Sequence, residues 1–141
     1  MKLQDLNILK KIAHTKRNIE EHKLRKLEFE KNAMLQHSRS MQEVARSTNL
    51  EENFAGTAST LLNYHAYIEF LLNLADQKQS AARYLAQLIQ PQQKQLRSEI
   101  RREVAIDELR RQSELLQKKV QIEADENAIE EFRLYRRKNS V

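Results

Sequence analysis

No cysteine and no tryptophan occur in the 141 residues, and glycine and proline occur once each. Without cysteine there can be no disulfide staples and no thiolate metal site, a composition that suits a reducing compartment. A lone Gly56 excludes the glycine-rich loops that cradle phosphates, because such loops need several glycines and, for nucleotide hydrolysis, a following Lys and Ser or Thr. One Gly and one Pro also leave almost nothing with which to build repeated turns. Aromatic residues make up only 6%, which is thin material for a globular interior. No stretch approaches the roughly 20 apolar residues of a membrane span. Residues 1–12 carry Lys2, Asp5, Lys10 and Lys11, so they do not read as a secretory signal and a cytoplasmic location is expected.

What is present is helix-forming. Leu, Ala, Glu, Lys, Arg and Gln dominate, and 32% of residues are charged, so long helices are expected. A long helix in water is marginal unless it buries an apolar stripe against a partner helix. The formal charge is +5, but its distribution says more than its sum. Residues 1–46 hold eleven Lys and Arg against six Asp and Glu, while residues 97–141 hold eleven against ten. Basic excess therefore lies along the first part of the chain, with a small knot at Arg133, Arg136, Arg137 and Lys138.

The spacing predicts an all-α fold, a long antiparallel two-helix coiled-coil hairpin forming a single unit over residues 1–141. Apolar residues recur at helical spacing through Leu6, Leu9, Ile12, Ala13, Ile19, Leu24, Leu27, Met34, Met41 and Val44, which gives a first helix over about 3–47. Lys16, Glu20, Lys23 and Glu30 interrupt that stripe, their aliphatic stems covering the seam while their charges reach water. Small, polar residues cluster around Gly56, placing a bend at about 48–59, with Thr57, Ser59 or Thr60 available to cap the next helix. A second helix follows over about 60–138. Its seam is a clean heptad of alternating threes and fours: Leu61, Tyr64, Ile68, Leu71, Ala75, Lys78, Ala82, Leu85, Ile89, Gln92 and Leu96. Beyond Leu96 the apolar phase slips and resumes through Ile100, Ile106, Leu109, Leu116 and Val120. Pro91 deletes one backbone hydrogen bond and crowds the carbonyl four residues back, so a kink near Leu88 within a continuous helix is expected.

The two helices are unequal. Folded back at the bend, Leu3 falls beside residues 105–110, which leaves the last 30 or so residues without a partner from the same chain. That segment contains Val120, Ile122, Ile129, Phe132 and Leu134, too apolar for a permanently wet tail, and so predicts a meeting with another protein.

Catalytic chemistry is hard to find. His14, His22, His37 and His65 are the only imidazoles, and none has the Glu three residues before it that helical dinuclear iron sites use. His65 and Glu69 share a helix face, but two side chains do not make a metal site. A thin hairpin also lacks the supporting shell that holds a catalytic trio rigid. No enzymatic activity, metal, cofactor or small-molecule substrate is expected.

After the bend comes Asn63-Tyr64-His65-Ala66-Tyr67-Ile68-Glu69-Phe70-Leu71-Leu72-Asn73-Leu74-Ala75-Asp76-Gln77-Lys78, an aromatic pair three apart followed by an aliphatic series. Further on stand Ile106-Asp107-Glu108-Leu109 and the closing Asp125-Glu126-Asn127-Ala128-Ile129-Glu130-Glu131-Phe132-Arg133-Leu134-Tyr135-Arg136-Arg137. Together with length, basic charge and hairpin order, these runs resemble the flagellar FliJ family and the related injectisome YscO-type stalks. The resemblance implies a soluble component of the flagellar type III export apparatus, similar in shape to the central stalk of rotary ATPases and peripheral at the inner face of the cell membrane. It implies three partners: a hexameric export ATPase, an export-gate membrane protein, and export chaperones. ATPase contact then falls on Phe132, Arg133, Arg136 and Arg137, and gate contact on Tyr67, Leu71, Leu74 and Lys78. Leu74 and Lys78 depart from the family's usual small and His residues. Where the family commonly shows tyrosines before the bend, this sequence has Gln36, His37, Ser40, Met41 and Val44.

Other functions stay open at this stage. An injectisome stalk shares the architecture. A nucleic-acid-binding hairpin would use Lys10, Lys11, Lys16, Arg17, Lys23, Arg25 and Lys26, although interleaved acids and few aromatics oppose it, so no nucleic acid is expected. A homodimeric scaffold would use the unpaired terminal third to associate with itself.

Overall fold

The structure, a computed structural model, describes residues 2–47 and 56–139. Among them are two helices and no strand: α1 (Leu3–Ser47) and α2 (Ala58–Lys138), of 45 and 81 residues. They pack against each other as an antiparallel hairpin. Most of the expected bend, residues 48–55, lies outside the described residues. Where α2 begins, Thr57 does the capping. Its Oγ1 accepts the Thr60 backbone N–H at 3.3 Å and lies 3.0 Å from the Thr60 hydroxyl. One of the orphan amides of the first turn is thereby satisfied.

Contacts group the chain into two units. The first to consider is Ile19–Leu96. On its α2 side Leu61, Tyr64, Ile68, Leu71, Lys78, Leu85, Gln92 and Leu96 are half-buried, and Ala75, Ala82 and Ile89 are buried. On its α1 side, with some neighbours beside them also half-buried, a matching row of covered positions runs through Glu20, Leu24, Leu27, Lys31, Met34, Ser38, Met41 and Ala45. They too alternate by threes and fours, the signature of a coiled-coil seam. The most covered residues are small. Ser38 Oγ donates to the Ala75 carbonyl oxygen at 2.9 Å, and Ala75 is fully buried. A hydroxyl can reach the facing backbone only where neither helix holds a large side chain between them. Tight contact at Ala and Ser with half-covered Leu on either side makes a narrow core, in which each Leu gains only part of the roughly 1.5–3 kcal/mol of full burial.

The other unit comprises Met1–Asn18 and Arg97–Val141. Its seam row of covered positions, with Asn7 and Asp107 half-buried beside it, runs through Leu3, Leu6, Lys10, Ala13 and Arg17 on α1 and Glu99, Glu103, Ile106, Arg110 and Ser113 on α2. The expected slip after Leu96 does not occur: threes and fours counted on from Leu96 land on each of these α2 residues. Ile100, Leu109, Leu116 and Val120, which the slipped register places inside, are exposed. On α1, similarly, Ile12, Ile19 and Val44 were expected on the seam and are about half exposed. The physical reason is shared. A regular heptad keeps the two helices parallel to a common seam, and long charged side chains can fill seam positions with their stems. Carboxylate–cation pairs then compensate for the missing aliphatics.

α2 runs through Pro91 without interruption. Pro91 and Gln87, whose carbonyl loses its amide partner there, are both exposed, so water can take the place of the missing donor.

Candidate docking surfaces

Three surfaces are built on this frame. The first is an ionic stretch of seam in the unit containing both chain termini. Lys10 Nζ lies 2.7 Å from Asp107 Oδ1, and Arg17 Nε lies 2.9 Å from Glu103 Oε2. His14 Nδ1 sits 3.1 Å from Glu103 Oε1 and 3.2 Å from Arg17 Nη2. That nitrogen can donate to the carboxylate or accept from the guanidinium, one at a time. The hydrogen bond from Lys10 holds the Asp107 carboxyl below the usual carboxylate range. Glu99 is buried; among the described residues its one ion pair is with Arg102 Nη1 at 3.4 Å, and its other oxygen has no hydrogen-bond partner there. A groove of about 520 Å³ beside this stretch is lined by Asn7, Lys10, Lys11, His14 and Arg110. Its lysine and arginine nearest the seam already face Asp107, at 2.7 Å and 3.9 Å.

In the other unit, Gln92 Nε2 donates to both the backbone oxygen and the carboxylate of Glu20. This hydrogen bond, assisted by Lys23, lowers the Glu20 pKa against the opposing effect of burial. Polar side chains thus pair across the seam of each unit, as charge-assisted hydrogen bonds do where lone pairs face a partner helix.

The second surface lies near the start of α2. Of the four residues that the family resemblance assigns to gate contact, Tyr67 is exposed, while Leu71, Leu74 and Lys78 are half-buried. Leu71 and Lys78 occupy seam positions, so only one edge of each is available. Phe70, three residues after Tyr67 and four before Leu74, is 60% exposed and shares their face. Tyr67, Phe70 and Leu74 therefore form the apolar patch here. Sequence reading passed over Phe70 as a contact residue, although its spacing from Tyr67 marked it.

The third surface is the end of α2. Every described residue from 114 to 139 is exposed. Phe132, Arg133, Arg136 and Arg137 stand together on this segment, with Phe132 at 62% exposure. Leu115, Leu116, Val120, Ile122, Ile129, Leu134 and Tyr135 are exposed along it as well. Among the described residues, this much apolar surface on one helical segment is left uncovered.

Among the described residues no group of three or more His, Cys, Asp or Glu is placed to hold a metal ion, and no helix is long and apolar enough to cross a membrane. The class defined by the fold is a two-helix coiled-coil hairpin. Compared with protein-family models, with characterised proteins and with solved structures, the chain finds no significant match in any of the three.

Proposed function

We propose that the chain is a non-enzymatic component of the flagellar type III protein export apparatus, acting as the central stalk of its hexameric ATPase. The observation that carries this reading is the exposed end of α2: every described residue from 114 to 139 is exposed, and the segment closes in Phe132, Arg133, Arg136 and Arg137. Together with the family resemblance of the runs after the bend and at the end of α2, that segment is suited to enter a ring lined with acidic and apolar side chains. The Tyr67, Phe70 and Leu74 patch is the contact for the export-gate membrane protein. In this role the protein is cytoplasmic and peripheral at the inner face of the cell membrane, promotes assembly and activity of the ATPase, and also meets export chaperones. The injectisome stalk remains the second reading on the same surfaces, and neighbouring genes separate the two.

The nucleic-acid alternative is less well supported. Lys10, Arg17, Lys23 and Arg25 of the basic α1 each face a carboxylate at 3.3 Å or less, which leaves fewer free cations for phosphates. The test is stimulation of a purified export ATPase by the full chain. Added at low micromolar concentration it is expected to raise hydrolysis several-fold. R133E/R136E/R137E is expected to abolish the effect while helicity is retained. Absence of both binding and stimulation by the unaltered chain contradicts the stalk reading.

A further inference from the structure

Along the exposed end of α2, Leu115, Ile122 and Ile129 stand seven residues apart, each more than half exposed. At about 100° per residue, Leu115 and Ile122 lie roughly 180–200° from Ser113, the last covered seam position. The stripe therefore faces away from α1, and whatever covers it leaves the hairpin closed. Sevenfold spacing is the repeat of a coiled-coil seam, and the residues beside it supply a second pattern. Three and four positions before Ile122 stand Lys119 and Lys118; three and four positions after it stand Asp125 and Glu126. All four are exposed, and Lys118, Lys119 and Glu126 take part in no ion pair among the described residues. Asp125 accepts only a hydrogen bond from Gln121 at 3.1 Å.

This arrangement is its own complement when reversed. From it we infer that the chain forms an antiparallel homodimer through the end of α2, with Ile122 at the two-fold axis. Ile122 then meets Ile122 of the second copy, and Leu115 of each copy meets Ile129 of the other. Lys118 and Lys119 come against Glu126 and Asp125 of the second copy, and Glu108 comes against Arg136. The like-charged positions Arg111 with Arg133 and Glu114 with Glu130 also meet, and they pair on the diagonal, Arg111 to Glu130 and Glu114 to Arg133. In a parallel pair the same residues would set Lys against Lys and acid against acid, so the charge pattern selects the antiparallel arrangement. Phe132 and Arg136 are covered in the dimer. Self-pairing and insertion of this segment into an ATPase therefore exclude each other, which makes the dimer a form in which the docking segment is withheld.

Sedimentation equilibrium of the full chain, over about 1–200 µM and without any ATPase, reads the dimer independently of the stalk reading. A mass rising from one chain to two is expected. I122E should hold the mass at one chain throughout, with helicity and melting of the hairpin unchanged because Ile122 lies off the seam. K118E/K119E should weaken the dimer about tenfold or more at low salt, and K118E/K119E/D125K/E126K should restore it to within about threefold. A chain that stays monomeric to 200 µM, leaving the stripe to a foreign partner, overturns the inference. So does a dimer indifferent to I122E, or one that the compensating reversal fails to restore.

Discussion

Ser38 and Ala75 show what holds this hairpin together at the scale of single residues. The Ala75 carbonyl already belongs to the α2 ladder, so Ser38→Ala removes a hydrogen bond without orphaning a buried group. Its cost should be about 0.5–1 kcal/mol. Ala75→Leu forces apart helices that meet there without a gap, and should cost about 1–3 kcal/mol; urea midpoints distinguish the two. Glu99 is the opposite case, a buried carboxylate satisfied on one side only. Glu99→Leu should raise stability by about 1 kcal/mol or more, since an apolar residue at that seam position no longer needs the missing partner. Glu20 and Asp107 contribute to the pH response. Both have pKa values lowered below ordinary values of 4.5 and 3.8, through the hydrogen bonds from Gln92 and Lys10 respectively. A lowered folded-state value contributes stability that is complete above the ordinary value and lost as pH falls through the folded one. The melting temperature should therefore hold steady from neutral pH to about 5 and decline below about 4.5, with a shallower decline in D107N and E20Q; an unchanged slope in both variants contradicts this assignment.

At the scale of the helix, sequence and structure part company in an instructive way. The α2 seam over 61–96 was legible because its apolar residues fall on the heptad without competition. The α1 seam was less so. Leu9, Ile12 and Ile19 announce an apolar face that turns out to be exposed, while Lys10, Arg17 and Glu20 lie against α2. Which of two faces turns inward depends on the partner's charges, Asp107, Glu103 and Gln92, and these are distant in sequence. The same holds beyond Leu96, where following aliphatics led away from a register that Glu99 and Glu103 in fact continue. The candidate docking residues fared unevenly for a related reason. Phe132, Arg133, Arg136 and Arg137 needed only the inequality of the helices to be placed in solvent, whereas Leu71 and Lys78 belong to the seam as much as to any outer surface. Pro91 gives an element-scale test. Replacing it by Ala supplies the donor that the Gln87 carbonyl lacks, and should stabilise the hairpin by about 1–3 kcal/mol in urea unfolding. Unchanged or lowered stability would mean that the proline relieves strain elsewhere in α2.

For the whole chain, the central point is a division of labour along α2. Up to Ser113 it serves the hairpin; past Ser113 every described residue is exposed, so the segment presents its surface to other molecules. A chain ending at residue 114 should accordingly unfold at the same urea concentration as the full chain, measured at low micromolar concentration, yet lose both self-association and stimulation of an export ATPase. Hydrogen–deuterium exchange on the full chain in dilute solution tests the division most directly. Slow exchange is expected over α1 and residues 61–113, with rapid exchange confined to 114–138 that slows when concentration is raised or a partner is added. Equally slow exchange across 114–138 in the dilute chain, unmoved by concentration or partner, would contradict it.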